Sequence, residues 1–340
     1  MRKTIFSVAL SALRFALGVA GALLLAPSTP ADAQQPKKIP RIGYLTTGSA
    51  GSLSSASENV ERFRQGLREL GYVEGKTITI EYRYAGDKLD PLPDLAAELV
   101  QLKVDVIVVL NTAGAMAAKG ATTTIPIVIA GFSDPVATGL VASLAKPGGN
   151  ITGVTIMNDE LAGKRLELLK ETSPKVSRLA VLWNPTNPGA AVVFKQTKAA
   201  TQELRLQLQS LEVKSANDLE SAFKAVTSAG ANALVVFAGP PVGARRKQIA
   251  DFAIKNRLPS VYDRSNFVEA GGLMSYGTNP TDTFRRVAIY VDKILKGTKP
   301  ADLPVERPMK FEFVINLKTA KQIGLTIRPN VLTRADKVIQ

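Results

Sequence analysis

The sequence predicts an α/β protein of two doubly wound parallel-sheet lobes joined by three chain crossings. Three observations carry this. Val104–Leu110 (VDVIVVL) is a β-branched run with almost no polar alternation, as expected of a strand covered on both faces of a parallel sheet. Short apolar strands alternate with helical patterns along the chain, the order that produces right-handed βαβ units. The alternation runs twice, with the turn-forming Pro147-Gly148-Gly149-Asn150 between the two series.

Strands are expected at Arg41–Leu45, Thr77–Tyr82, Val104–Leu110, Ile125–Ile129, Arg178–Trp183, Leu211–Lys214, Ala233–Phe237, Ser260–Tyr262 and Leu273–Tyr276. Between them, Val60, Phe63, Leu67 and Leu70 recur at helical spacing and Gly71 ends that helix, while Leu92, Leu95, Leu99 and Leu102 repeat the same spacing. Gly148-Gly149-Asn150 with Thr152-Gly153 mark the first crossing between lobes. Gly277-Thr278, ahead of a helix over about 281–295, marks the second. The Pro-rich Lys299–Pro304 stretch marks the third. The lobes are therefore expected to comprise residues 34–153 plus 277–304, and 154–276 plus 305–340. Three crossings make a hinge on which two lobes close around a solute.

The first 33 residues read as a leader. Met1-Arg2-Lys3 is basic, Ile5–Leu25 is apolar apart from Arg14 and a few small polar residues, and Ala31-Asp32-Ala33 is a small-residue cleavage site. A signal peptide cleaved near Ala33 places the mature protein in the periplasm, starting near Gln34. No later apolar run reaches the roughly 18 residues of a membrane span.

Composition excludes several chemistries. The 340 residues contain no cysteine, which removes disulfides, thiolate metal sites, a cysteine nucleophile and a lipid-modified cysteine anchor. They contain no histidine either, which removes a Ser-His-Asp hydrolase and a His-ligated zinc enzyme. No Walker A loop occurs and no G-x-G-x-x-G follows an expected strand, so no cofactor, no metal and no enzyme activity are expected. The net charge of +14 falls by two when Arg2, Lys3, Arg14 and Asp32 leave with the leader. The bases are dispersed along helices, with Arg245-Arg246-Lys247 the densest group, which reads as a solvated basic surface rather than a nucleic-acid site.

Ligands of open parallel sheets bind beyond the carboxyl ends of the strands, so the segments following each strand supply the candidate contacts. In the first lobe these are Thr47, Ser49, Asn111, Thr112, Ala113, Phe132, Ser133 and Asp134. In the second they are Asn184, Phe237, Tyr262, Asp263 and Tyr276. Each is equally an ordinary capping or turn residue, and the aromatic ones are equally core; the set, not any member, points to a cleft.

The segments Arg41–Leu45, Phe63–Gly75 (FRQGLRELGYVEG), Phe132–Val136, Pro147–Gly153, Asn184-Pro185 and Phe311–Thr319 (FEFVINLKT) together resemble the exported substrate-binding components of ABC importers, in the subfamily that includes tryptophan-binding TrpX-like proteins. The resemblance spans essentially the whole mature chain. It implies a type I periplasmic-binding fold, a permease and through it a cytoplasmic ATPase as partners, a monomer, and no catalysis. It leaves the solute open. For an amino acid, the carboxylate is expected at the helix N-terminus formed by Thr112-Ala113-Gly114, and the ammonium at Asp134 or Asp263. Phe132, Phe237, Tyr262 and Tyr276 would wall its side chain, and hydroxyls of Thr47, Ser49 and Ser133 with Asn111 and Asn184 would complete its hydrogen bonds. A sugar ligand and a ligand-sensing role on the same fold stand as alternatives.

Overall fold

The structure is a computed structural model that describes residues 38–49, 55–131 and 133–340. The expected leader and the candidate Phe132 lie outside the described residues. Two parallel sheets form the frame of residues 39–340.

The first sheet has the order β2-β1-β3-β4-β5, from β1 Arg41–Thr46, β2 Thr79–Tyr84, β3 Val106–Val109, β4 Ile127–Gly131 and β5 Ile151–Thr155. All its pairings are parallel. Strands β3 and β4 are buried at every residue because helices cover both faces. On one face, Val60, Phe63 and Leu67 of α1 (Ser55–Glu69) pack with the later-arriving Phe284, Val287 and Val291. On the other, Leu92, Ala96 and Leu99 of α2 (Leu92–Gln101) pack with Ala115 and Ala118 of α3 (Thr112–Ala121).

The second sheet has the order β12-β11-β10-β9-β8-β6-β7, built from β6 Arg178–Trp183, β7 Gln207–Glu212, β8 Ala233–Val236, β9 Ser260–Tyr262, β10 Met274–Thr278, β11 Phe311–Asn316 and β12 Lys337–Ile339. Only the β10–β11 pair is antiparallel. Helices α4 (Ala162–Thr172), α5 (Pro188–Glu203), α6 (Asp218–Ser228), α7 (Arg246–Lys255) and the short α8 (Ser265–Glu269) surround it. The helix α9 (Pro280–Leu295) leaves β10 and supplies the Phe284, Val287 and Val291 that pack against the first sheet. Two further short helices, α10 (Leu317–Gln322) and α11 (Pro329–Leu332), join β11 to β12.

Two differences from the sequence reading have physical causes. Ile151–Thr155 is a strand of the first sheet rather than a turn. A Cβ at Gly153, whose φ is +135°, would stand 2.3 Å from the carbonyl oxygen of Ile129, so only glycine lets this edge strand lie against β4. Strand β7 occupies Gln207–Glu212 rather than Leu211–Lys214, because a half-exposed edge strand carries polar residues that mask its pattern. At the edge of the first sheet the Thr152 hydroxyl donates to the Leu303 carbonyl at 2.7 Å, and Glu306 bridges to Val154. Among the described residues no helix is long and apolar enough to cross a membrane.

Candidate functional site

In both sheets the strand order reverses beside the first strand of the series, at β1/β3 and at β6/β8, and the crevice beyond those carboxyl ends is where such sheets take ligands. The two crevices face each other as one cleft with two adjoining compartments. The first is lined by residues of both lobes and opens to solvent at its mouth. Its apolar wall comes from Leu110, Ala130, Ile156, Pro280 and Phe284, and its polar wall from Asn158, Asp263, Arg264, Ser265 and Asn266. The second compartment lies against Thr46, Thr47, Gly48 and Asn111 of the first lobe and Asn187, Gly239 and Pro240 of the second. Asn59, Leu110, Arg264 and Asn266 line both and mark their junction.

Asp263, directly after β9, is buried, and both carboxylate oxygens are placed by hydrogen bonds. Oδ1 accepts from the backbone N–H of Ala238 at 3.0 Å and Oδ2 from the Asn158 amide at 3.0 Å. Asn158 is held in turn by Arg165, which is 1% exposed on α4. The Arg165 guanidinium donates to the Tyr276 carbonyl at 2.7 Å, to the Asn158 carbonyl at 3.0 Å and to the Asn158 side-chain oxygen. Burial pulls the Arg165 pKa down to about 10, against the opposing pull of Asp263, so the group is still cationic at neutral pH. The result is a fixed donor and acceptor chain running from α4 through the first crossing to the cleft wall.

The ionisable lining residues are acidic in balance. Glu58, Asp87, Asp263 and Glu269 stand against Arg62 and Arg264, inside a chain whose net charge is +14. A cationic or zwitterionic solute is favoured over a multiply charged anion in such a lining.

Of the candidate contacts, Thr47, Asn111 and Asp263 line the cleft. Ser49 sits beside it, its hydroxyl 2.6 Å from Asp87 Oδ2. The others have different neighbours. The N-terminus of α3 is capped: Asn111 Oδ1 accepts from the Gly114 N–H at 2.7 Å, Thr112 is buried, and Ala113 packs on the first-lobe core. Thr112 and the buried Ser133 lie against Gly189 of the other lobe, where an added Cβ would stand 2.7 Å from Thr112 Oγ1 and 3.2 Å from Ser133 Oγ. Asp134 caps its own turn, accepting from the Val136 N–H at 2.8 Å. Asn184 ties two loops together by donating to the Pro240 carbonyl at 2.7 Å and accepting from Thr186.

The aromatic wall expected from Phe237, Tyr262 and Tyr276 requires correction. Phe237 and Tyr262 point into the second-lobe core, and Tyr276 stacks on Phe311. Alternation in a strand decides this, since residues at the end of a strand covered on both faces point into the core layers as readily as into the crevice.

The candidates read from the sequence do not include Asn59, Asn158, Arg165, Asn187, Arg264 or Asn266. Asn158 follows β5, which was not read as a strand. Asn59 and Asn266 sit on helices and carry no local signal of their own.

The fold and the cleft together define a type I periplasmic-binding architecture, a two-lobed binder of small solutes. The chain belongs to the ABC transporter substrate binding protein family, whose pattern it matches over residues 52–339. A tyrosine-binding protein of Clostridioides difficile (strain R20291) is 26% identical over 290 residues, covering 85% of this chain and 82% of that protein. A crystal structure of an ABC domain in complex with L-Trp from Streptococcus pneumonia is 27% identical and superimposes with a TM-score of 0.81, covering 88% of this chain and 99% of that one. A ligand-free, open substrate binding protein with adhesive properties from Clostridium difficile is 25% identical, with a TM-score of 0.64 over 89% of this chain and 99% of that one.

Proposed function

We propose that this protein is the exported solute-binding component of an ABC importer, that its two lobes close on an amino acid or a closely related small solute, and that it hands the solute to a permease coupled to a cytoplasmic ATPase. The observation that carries this reading is the buried Asp263 carboxylate, oriented by Asn158 and the Ala238 N–H in an acidic, half-apolar cleft. A fixed carboxylate suits an ammonium group, and the opposing apolar wall suits a side chain. Relatives named for tyrosine and tryptophan support the same class. On this reading the protein acts as a periplasmic monomer freed of its leader near Ala33, its lobes are residues 34–153 plus 277–304 and 154–276 plus 305–340, and its cargo is neither nucleic acid nor a reaction substrate.

Thermal unfolding of the purified protein against amino acids, sugars, nucleobases and aromatic acids tests it. A ligand that binds only the folded state stabilises by about 2.7 kcal/mol at a hundredfold excess over Kd. Stabilisation by amino acids supports the reading; stabilisation by sugars alone overturns it.

A further inference from the structure

We propose that Arg264 binds the solute's carboxylate and that Asn266 Oδ1 accepts a hydrogen bond from a donor beside it, so that the second lobe reads the head group at the junction of the two compartments. This rests on the amino-acid reading above and assigns the head group a place other than the N-terminus of α3.

Four observations lead there. Arg264 lines both compartments and is the sole side-chain cation among the described residues lining the second. It is half-buried beside Asp263, and burial lowers its pKa while Asp263 opposes the shift, so the guanidinium keeps its charge where water is scarce. Asn266, two residues on, carries a buried side-chain oxygen with no hydrogen-bond partner, an acceptor that lacks a donor. The acids that share the lining, Asp87 and Asp263 among them, oppose a dianion such as phosphate but suit a single carboxylate carried next to an ammonium or hydroxyl.

A planar guanidinium fork matches a carboxylate and not a primary amide, which brings two donors of its own. The test is therefore a comparison of acids with their amides. The twenty L-amino acids are screened by calorimetry, and each binder is measured beside its C-terminal amide on wild type, Arg264→Gln and Arg264→Lys. Wild type is expected to bind the acid on the order of 100-fold more tightly than the amide. In Arg264→Gln the acid loses that advantage and the two bind within about threefold of each other. Arg264→Lys, charged but without the fork, retains only part of it. If Arg264→Gln does not fold, Arg264→Lys decides: full wild-type discrimination there overturns the proposal. Discrimination that persists in Arg264→Gln, or an amide bound as well as its acid by wild type, overturns it while amino-acid binding stands. A wild type that binds no amino acid but only uncharged solutes overturns both readings.

Discussion

The side-chain amide of Asn158 and the carboxylate of Asp263 meet at 3.0 Å across 105 positions of sequence, fastening the chain's first passage between lobes to the end of β9. Asp263 thus combines a structural duty with exposure to the cleft, whereas Asp134 has only a turn to hold. Asp263→Ala is expected to weaken solute binding by about 2–5 kcal/mol, since it strips the partner from a buried donor or ammonium. Asp134→Ala should leave the affinity within about threefold of wild type. Calorimetry on both variants checks this, and equal losses would remove Asp263 from its special position.

The Arg165 guanidinium satisfies two backbone carbonyls and the Asn158 side chain away from water. Arg165→Met fills the space but leaves those acceptors bare, at a cost of about 1–3 kcal/mol for each buried acceptor that finds no substitute donor. Urea unfolding of the solute-free protein reads this directly. An unchanged midpoint would mean that the acceptors find other donors.

Gly189, at the start of α5, is where the second lobe comes nearest to Thr112 and Ser133. A methyl group there would stand 2.7 Å from Thr112 Oγ1, so either the Thr112 side chain or the lobe that carries it must shift. Gly189→Ala is expected to weaken solute binding by about 1–3 kcal/mol while leaving the stability of the solute-free protein nearly unchanged. Small-angle scattering at saturating solute should give a larger radius of gyration than wild type. An identical curve with unaltered affinity would show that the contact yields easily.

Asp159, buried and accepting from the Asp134 N–H at 3.1 Å, has its pKa raised above the ordinary 3.8 by burial, with backbone hydrogen bonds opposing the shift. The folded protein then holds this proton to higher pH than the unfolded chain. The stability it contributes is full below about pH 4 and is lost as pH rises through the folded value. Asp159→Asn keeps an acceptor for the Asp134 N–H and carries no charge. The stability difference between variant and wild type should therefore grow with pH just above 4 and level off at neutral pH. Parallel pH profiles from denaturant titration would contradict the shift.

The frame was legible because burial on both faces writes itself into composition: Val104–Leu110 and Ala233–Phe237 admit few readings besides central strands. Strand β5 was not legible, because Gly153 and Thr155 look like turn residues until Ile129 and Gly131 of β4 are seen paired with them. The same limit governed the cleft. Asp263 was found by position alone, following a strand. Phe237 and Tyr262 share that position, yet packing against the cores turned them inward. Asn158 and Asn266 depend on which helix faces which sheet, a long-range fact with no local trace.

The path of α9 bears on how the chain is made. That helix completes the core of the first lobe, yet it is synthesised after most of the second, and the second sheet lacks β11 and β12 until residues 311–340 exist. Neither lobe can be finished from an N-terminal piece of the polypeptide. Cooperative folding of either lobe must therefore wait until nearly the whole chain is available, so the order of synthesis and the order of assembly are uncoupled in this fold.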